Sequence, residues 1–369
     1  MAAPIPQDSI ERLIALFARE GHRRVEPPVL QPADVFVDLS GEDIRRRLFA
    51  TQGADGDALC LRPDYTIPVC RLHLERAPER GAALPAAYGY LGPVFRLAPG
   101  GTGEALQAGI ESVGRADIAA ADADVLGLAL EGLEVLGRTG QVRLGDMGLL
   151  EAVVAALGVP PAARLRLVRA IAAGQRAAAA PEPPPAREHA GLLAAIEGQG
   201  PGAVRALVED VLSIAGITSV GGRSATEIAE RFTARAANRN GGLTDERRLV
   251  LDRYLGIRGD PDEALATARA LADEAGLSLD PALDLFEART GFMAARGLDV
   301  TAFGFAADFA RSLDYYTGFI FEVRDGPGTR PLVGGGRYDR LLQRLGSPEP
   351  VPAIGCAFWL DRIEDEARR

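Results

Sequence analysis

Histidine and cysteine are both scarce in this chain of 369 residues, three of each. His22, His73 and His189 lie far apart, and Cys60, Cys70 and Cys356 are odd in number and without metal-ligand spacing. That leaves little material for a histidine-based zinc site, for Ser-His-Asp catalysis or for a disulfide framework. It fits a reducing compartment in which thiols act as small apolar side chains. Basic residues are outnumbered, 41 Lys and Arg against 51 Asp and Glu, which gives a net charge of -10 and a pI near 5.1. A general nucleic-acid binder leans the other way. No apolar run approaches the ~20 residues of a membrane span, and Met1 to Gln7 lacks the basic-then-apolar pattern of a signal peptide. The expectation is a cytoplasmic protein with no membrane association, no metal and no cofactor.

The hydrophobic fraction of 47% supports well-formed cores, and the length suggests about two or three domains. The densest chemistry falls in Ala307 to Glu322. There a cation (Arg311), an anion (Asp314) and two phenols (Tyr315, Tyr316) precede a strand-like run, Phe319 to Val323. A guanidinium grips a carboxylate or phosphate, and a tyrosine offers a flat apolar face with a polar tip. Such a set suits a small zwitterion carrying a ring, although tyrosines at a strand entry also pack as ordinary core residues. Close behind, Gly334 to Gly336 reads as a turn, either letting backbone approach a ligand or connecting a strand to a helix near Arg337.

Taken in order, Asp8 or Ser9 is positioned to cap a helix carrying Ile10, Leu13, Ile14 and Phe17, which Gly21 ends. Arg24 to Leu30 is strand-like, and Pro27 and Pro28 confine it to a sheet edge or to a strand crossing between subunits. Leu59 to Arg71 reads as strand, turn and helix, with Asp64 and Thr66 as caps. Tyr88 to Gly114 reads as an antiparallel hairpin. Alternation puts Gln107 and Glu111 on one face of it, where a buried glutamate needs a partner. Asp122 is expected to open the next helix, and Gln141 to Leu144 to return as a strand. Met147 to Arg296 is rich in alanine, leucine and arginine with helical periodicity. It is interrupted by a proline-rich connection, Ala177 to Arg187, and by the Gly221, Gly222 and Gly241, Gly242 pairs. Arg231, Arg235 and Arg239 form a stripe typical of a solvated helix face. Val300 to Phe305 re-enters the sheet, and Pro352 to Trp359 leads into a last helix.

Five ordered blocks carry a resemblance. Leu61 to Thr66 (Leu-Arg-Pro-Asp-Tyr-Thr), Gly92 to Arg96 (Gly-Pro-Val-Phe-Arg), Gln107 to Glu111, Leu313 to Thr317 and Gly334 to Asp339 together resemble the core of a class II aminoacyl-tRNA synthetase of the histidyl type. The resemblance implies an α+β fold, an antiparallel sheet flanked by helices. Residues 1–146 and 297–369 would form a discontinuous core and 147–296 a helical insertion, with Arg24 to Phe36 supplying the dimer contact. By position it also implies a histidine-like pocket. Asp64, Thr66 and Gln107 match residues that hold the α-amino group, Glu111 and Tyr316 those that read the imidazole, and Tyr315 lines the same pocket. Arg96 and Arg311 match arginines that contact the carboxylate and the activated phosphate.

The departures matter as much. Ala98 stands where the synthetases have a glutamate, the loop Pro99 to Gly103 lacks their arginines, and Trp359-Leu360-Asp361-Arg362 replaces Gly-x-Glu-Arg. An indole there fills space that ATP would need. The chain stops soon after Arg362, so no anticodon-binding domain and no charging of tRNA are expected. The resemblance therefore narrows to the family of regulatory subunits of ATP phosphoribosyltransferase. It implies a protein without catalysis of its own, a homodimer within a hetero-octamer with the short-form catalytic subunit, and histidine as effector in the first step of histidine biosynthesis. Two other readings stay open at this point: a histidine-activating ligase not acting on tRNA, and an RNA-binding pseudo-synthetase.

Overall fold

The computed structural model describes residues 5–40, 42–80, 84–97, 103–172, 174, 243–310, 315–326 and 329–366. The amphipathic opening helix forms as α1 (Gln7–Arg19), burying Ile10, Leu13, Leu16 and Phe17. It starts behind Pro6 without a side-chain cap, so neither Asp8 nor Ser9 serves as one. Gly21, at φ 83°, turns the chain out of the helix, as a left-handed position favours.

The prolines split the expected Arg24 to Leu30 strand. Only β1 (Arg23–Arg24) and β2 (Leu30–Pro32) form, with Pro27 and Pro28 between them. Then come α2 (Ala33–Ser40), α3 (Glu42–Arg45), β3 (Ala50–Gln52), β4 (Ala58–Leu61) and α4 (Thr66–Arg80). The expected hairpin is β5 (Ala86–Phe95) with β6 (Glu104–Val113), paired antiparallel from Ala86↔Val113 to Phe95↔Glu104. Helix α5 (Ile118–Val135) begins before Asp122, which lies fully buried inside it. Strand β7 (Gln141–Asp146) and helices α6 (Met147–Ala156), α7 (Pro161–Ala172) and α8 (Asp245–Leu255) follow. After β8 (Arg258–Gly259) come α9 (Pro261–Ala275) and α10 (Asp280–Ala295), and the chain closes through β9 (Gly304–Ala306), β10 (Phe319–Arg324), β11 (Val333–Arg337), α11 (Leu341–Arg344), β12 (Ala353–Trp359) and α12 (Leu360–Glu366).

The main sheet has nine strands in the order β1-β5-β6-β12-β11-β10-β7-β9-β8, and β2-β4-β3 make a small second sheet. All pairings in the main sheet are antiparallel except β1 with β5 and β7 with β9. This is the expected α+β architecture, with β1 on a sheet edge. The glycine run expected as a turn is part of a central strand. Gly334, Gly335 and Gly336 pair with β10 on one side and β12 on the other, and the following helix starts at Leu341. Close packing is the reason: a Cβ on Gly336 would stand 2.7 Å from the Phe319 carbonyl and 2.8 Å from the Tyr316 ring.

One face of the sheet is closed by a buried charge network. Arg289 on α10 donates from Nε to Asp122 and from Nη1 to Asp146, both at 2.8 Å, and Arg337 donates from Nε to the other Asp122 oxygen at 2.8 Å. Asp146 also caps α6, its Oδ1 accepting from the Gly148 and Leu149 amides. The Asp122 carboxylate thus sits mid-helix because two arginines require it there.

The chain divides into two compact units, Met1–Leu150 with Tyr254–Arg369, and Glu151–Arg253. The expected helical region, 147–296, is wider than the second unit, since α9 and α10 fall in the first, where Arg289 locks α10 to Asp122 and Asp146. Among described residues the second unit is helical, burying Val153, Val154, Leu157, Val159, Leu167, Ile171 and Leu251. The proline-rich connection, the Gly221 and Gly241 pairs and the Arg231, Arg235, Arg239 stripe lie outside the described residues. No described helix is long and apolar enough to cross a membrane.

Candidate functional site

Strand register assembles the site on the other face of the main sheet. Tyr88 pairs with Glu111, Glu111 with Gly355, and Gly355 with Gly336. The neighbouring rows run Tyr90, Gly109, Ala357 and Gly92, Gln107, Trp359. Directly opposed residues share a face, so Gln107 and Glu111 lie on the same side, as alternation predicts. Glycines make the floor because side chains lie flat upon it. At Gly355 a Cβ would overlap the Glu111 carboxylate.

Glu111 is the centre of this arrangement, 1% exposed. Thr66 Oγ1 donates to its Oε1 at 2.8 Å, and the Tyr338 hydroxyl donates to Oε2. Among the described residues no cation pairs with it. Burial therefore pushes its pKa up to about 8, against the pull of the Tyr338 and Thr66 hydroxyls, with Asp64 adding to the rise. Tyr338 meets Tyr315 edge-on at 5.9 Å, and Tyr315 lies 4.9 Å from Tyr316. Tyr315 thus links Tyr316 to Tyr338, the residue that holds Glu111.

Asp64 begins the adjoining group. Its Oδ1 accepts from the Ile67 amide at 3.4 Å, so it does cap α4. Its Oδ2 lies 3.9 Å from Arg96 Nη2, while Arg96 Nε donates to the Pro63 carbonyl at 2.7 Å. Burial raises the Asp64 pKa, and the Arg96 guanidinium holds part of that rise back. Gln107 is 2% exposed, and its Oε1 has no partner among the described residues. Of the expected site residues, Asp64, Thr66, Arg96, Gln107, Glu111, Tyr315 and Tyr316 all belong to this face and the segments packed on it. Arg311, with Asp314, Ala98 and most of the Pro99 to Gly103 loop, lies outside the described residues.

Trp359 ends the row beyond Gln107. It is 8% exposed, and Arg362 stacks on its ring at 4.2 Å while donating to the Pro331 carbonyl at 2.9 Å. The Arg362 guanidinium thus lies over the indole. Two cavities, about 450 Å³ around His22, Arg115 and Asp124 and about 810 Å³ around Arg143, Arg258 and Arg324, lie elsewhere.

Sequence reasoning passed over Tyr338, Tyr90 and Tyr65. Tyr338 holds Glu111 directly, the Tyr90 hydroxyl faces the same carboxylate, and Tyr65 stacks on Tyr90 at 4.4 Å. The signals were present, since Tyr65 sits inside the Leu61 to Thr66 block and Tyr338 directly follows the glycine run and Arg337. Among the described residues no cluster of His, Cys, Asp and Glu is placed to hold a metal.

A family profile described as histidyl-tRNA synthetase matches residues 6–219 and 203–363. The ATP phosphoribosyltransferase regulatory subunit of Mesorhizobium japonicum is 42% identical over 356 residues, covering 95% of this chain and 94% of the relative. The protein of that name from Rhizobium rhizogenes is 40% identical over 360 residues, covering 95% of each. Among solved structures, an ATP phosphoribosyltransferase regulatory subunit/histidyl-tRNA synthetase from Bacillus halodurans superposes with a TM-score of 0.70 at 22% identity, covering 100% of this chain and 82% of that one. A histidyl-tRNA synthetase from Nostoc gives 0.65 at 17% identity, covering 97% and 70%. Those two likenesses bear on the fold.

Proposed function

The chain belongs to the family of ATP phosphoribosyltransferase regulatory subunits, built on the histidyl-tRNA synthetase fold, and from that premise we propose that it is a non-catalytic histidine sensor. It joins short-form catalytic subunits in the cytoplasm, as a homodimer within a hetero-octamer, and its presence makes them active. Histidine bound at the Glu111 pocket feeds back on the first step of histidine biosynthesis. Inhibition follows if histidine binds the less active state more tightly, and a coupling of ~1–3 kcal/mol is sufficient.

The observation that carries the sensor reading is Glu111, an acidic side chain 1% exposed and held by two hydroxyls, whose pKa burial raises for want of a cationic partner among the described residues. A ligand with a basic ring supplies what the protein withholds. Asp64, Thr66 and Gln107 take the ammonium group, Arg96 and Arg311 the carboxylate, and Tyr315 and Tyr316 the walls. The stacking of Arg362 on Trp359 supports a pocket that takes an amino acid without a nucleotide, and hence a subunit that neither activates histidine nor charges tRNA.

Two measurements on the isolated chain test this. Calorimetry is expected to detect histidine binding that Glu111→Ala abolishes. Histidine-dependent exchange of pyrophosphate into ATP is expected to stay at background, and exchange above background overturns the non-catalytic reading.

A further inference from the structure

The Gly92–Gln107 row holds a feature that packing does not account for. Tyr65 is 0% exposed, yet its hydroxyl has no hydrogen-bond partner among the described residues, and Gln107 Oε1 is in the same condition. Buried side-chain oxygens are nearly always paired, and a phenylalanine would fill the space of Tyr65 without a stranded hydroxyl. The two atoms also belong to one place. Gly92 lies directly opposite Gln107 across the β5–β6 pair, and the Tyr65 hydroxyl stands where a side chain on Gly92 would be. The ring beneath is fixed, stacked within 4° of parallel on Tyr90, with the Arg62 guanidinium 4.1 Å from its centroid.

The charge stacked on the Tyr65 ring is positive. Arg62 is 1% exposed and donates to the Pro93 and Pro27 carbonyls at 2.9 and 2.7 Å. No carboxylate pairs with it among the described residues. Burial lowers its pKa, and Tyr65 and the Glu26 carboxylate hold part of that fall back. A phenol donor backed by a buried guanidinium favours an anion, whereas the carbonyl oxygen of Gln107, an acceptor only, selects a donor.

We infer that Tyr65 is a specificity-determining contact, its hydroxyl donating to the carboxylate of a zwitterionic amino acid whose ammonium group faces Gln107 Oε1. This rests on the pocket reading given above and adds to it a residue that distinguishes an amino acid from the corresponding amine. The head group of the ligand completes two polar atoms that the empty protein leaves without partners.

The test compares histidine with histamine, which keeps the ring and the amine and lacks the carboxylate, by calorimetry on the full chain. The wild-type chain is expected to prefer histidine, and Tyr65→Phe to narrow that preference by about tenfold, the usual size of one lost hydrogen bond to a charged group. The loss should fall on histidine, with histamine affinity unchanged. Equal losses for both ligands, or wild-type affinity for histidine in Tyr65→Phe, overturn the assignment. Gly92→Ala provides a second route, because its Cβ displaces the hydroxyl while leaving the ring in the sequence. The same selective loss is expected, and unchanged selectivity contradicts the proposal. A wild-type chain that binds no histidine refutes the pocket reading itself. If the wild-type chain binds and Tyr65→Phe binds equally well, only the role of Tyr65 falls.

Discussion

Replacing Glu111 with glutamine should change how stability depends on pH, in a direction and by an amount that follow from the burial of the carboxylate. In the folded protein Glu111 titrates at about 8, against 4.5 for an unperturbed glutamate. The native state therefore keeps a proton that the unfolded chain has released at neutral pH. Stability from this group is fully present below about pH 4.5 and is lost as pH rises through about 8, at about 1.4 kcal/mol per unit of pH. Over the whole window the loss is about 5 kcal/mol, an upper bound for one site. Glutamine cannot ionise, so Glu111→Gln lacks this slope. Any fixed cost of fitting an amide between Thr66 and Tyr338 offsets its curve without tilting it. Urea denaturation of both proteins from pH 5 to pH 9, at one ionic strength and one protein concentration, reads the difference directly. The variant is expected to gain on the wild type steadily with rising pH, and parallel profiles would show that Glu111 is already ionised in the native state.

Two further substitutions probe the faces of the sheet separately. Arg289→Ala leaves Asp146 buried without its arginine and Asp122 with only Arg337, and should cost roughly 3–5 kcal/mol, read as a lower urea midpoint at unchanged slope. Gly355→Ala forces a Cβ into the Glu111 carboxylate and within 2.5 Å of the Ile110 carbonyl. It should cost about 1–3 kcal/mol and abolish histidine binding, while a well-bound variant would mean that Glu111 can move aside cheaply.

Local patterns told much of the fold in advance. The β5–β6 hairpin follows from alternation, and its register put Gln107 and Glu111 together before any tertiary information was needed. The turn at Arg62 to Asp64 and the start of α4 were equally legible. What failed were features decided by distant partners. Asp122 looks like a helix opener because a carboxylate near a helix start usually is one, yet it is fixed by Arg289 and Arg337, far along the chain. Gly334 to Gly336 looks like a turn because glycine usually marks one, yet here the absence of a Cβ lets β11 lie against its neighbours and the Tyr316 ring. Tyr65, Tyr90 and Tyr338 were hidden for a different reason. Aromatic residues beside strands are common, and only the convergence of Tyr90 and Tyr338 on one buried carboxylate, or an unpaired hydroxyl as in Tyr65, separates these from packing.

The most direct measurement is phosphoribosyl transfer by the short-form catalytic subunit of the same organism, with and without this chain, across a range of histidine concentrations. Activity that requires the chain and declines as histidine rises is the predicted result. A catalytic subunit equally active alone, or one that this chain neither binds nor activates, would contradict the account.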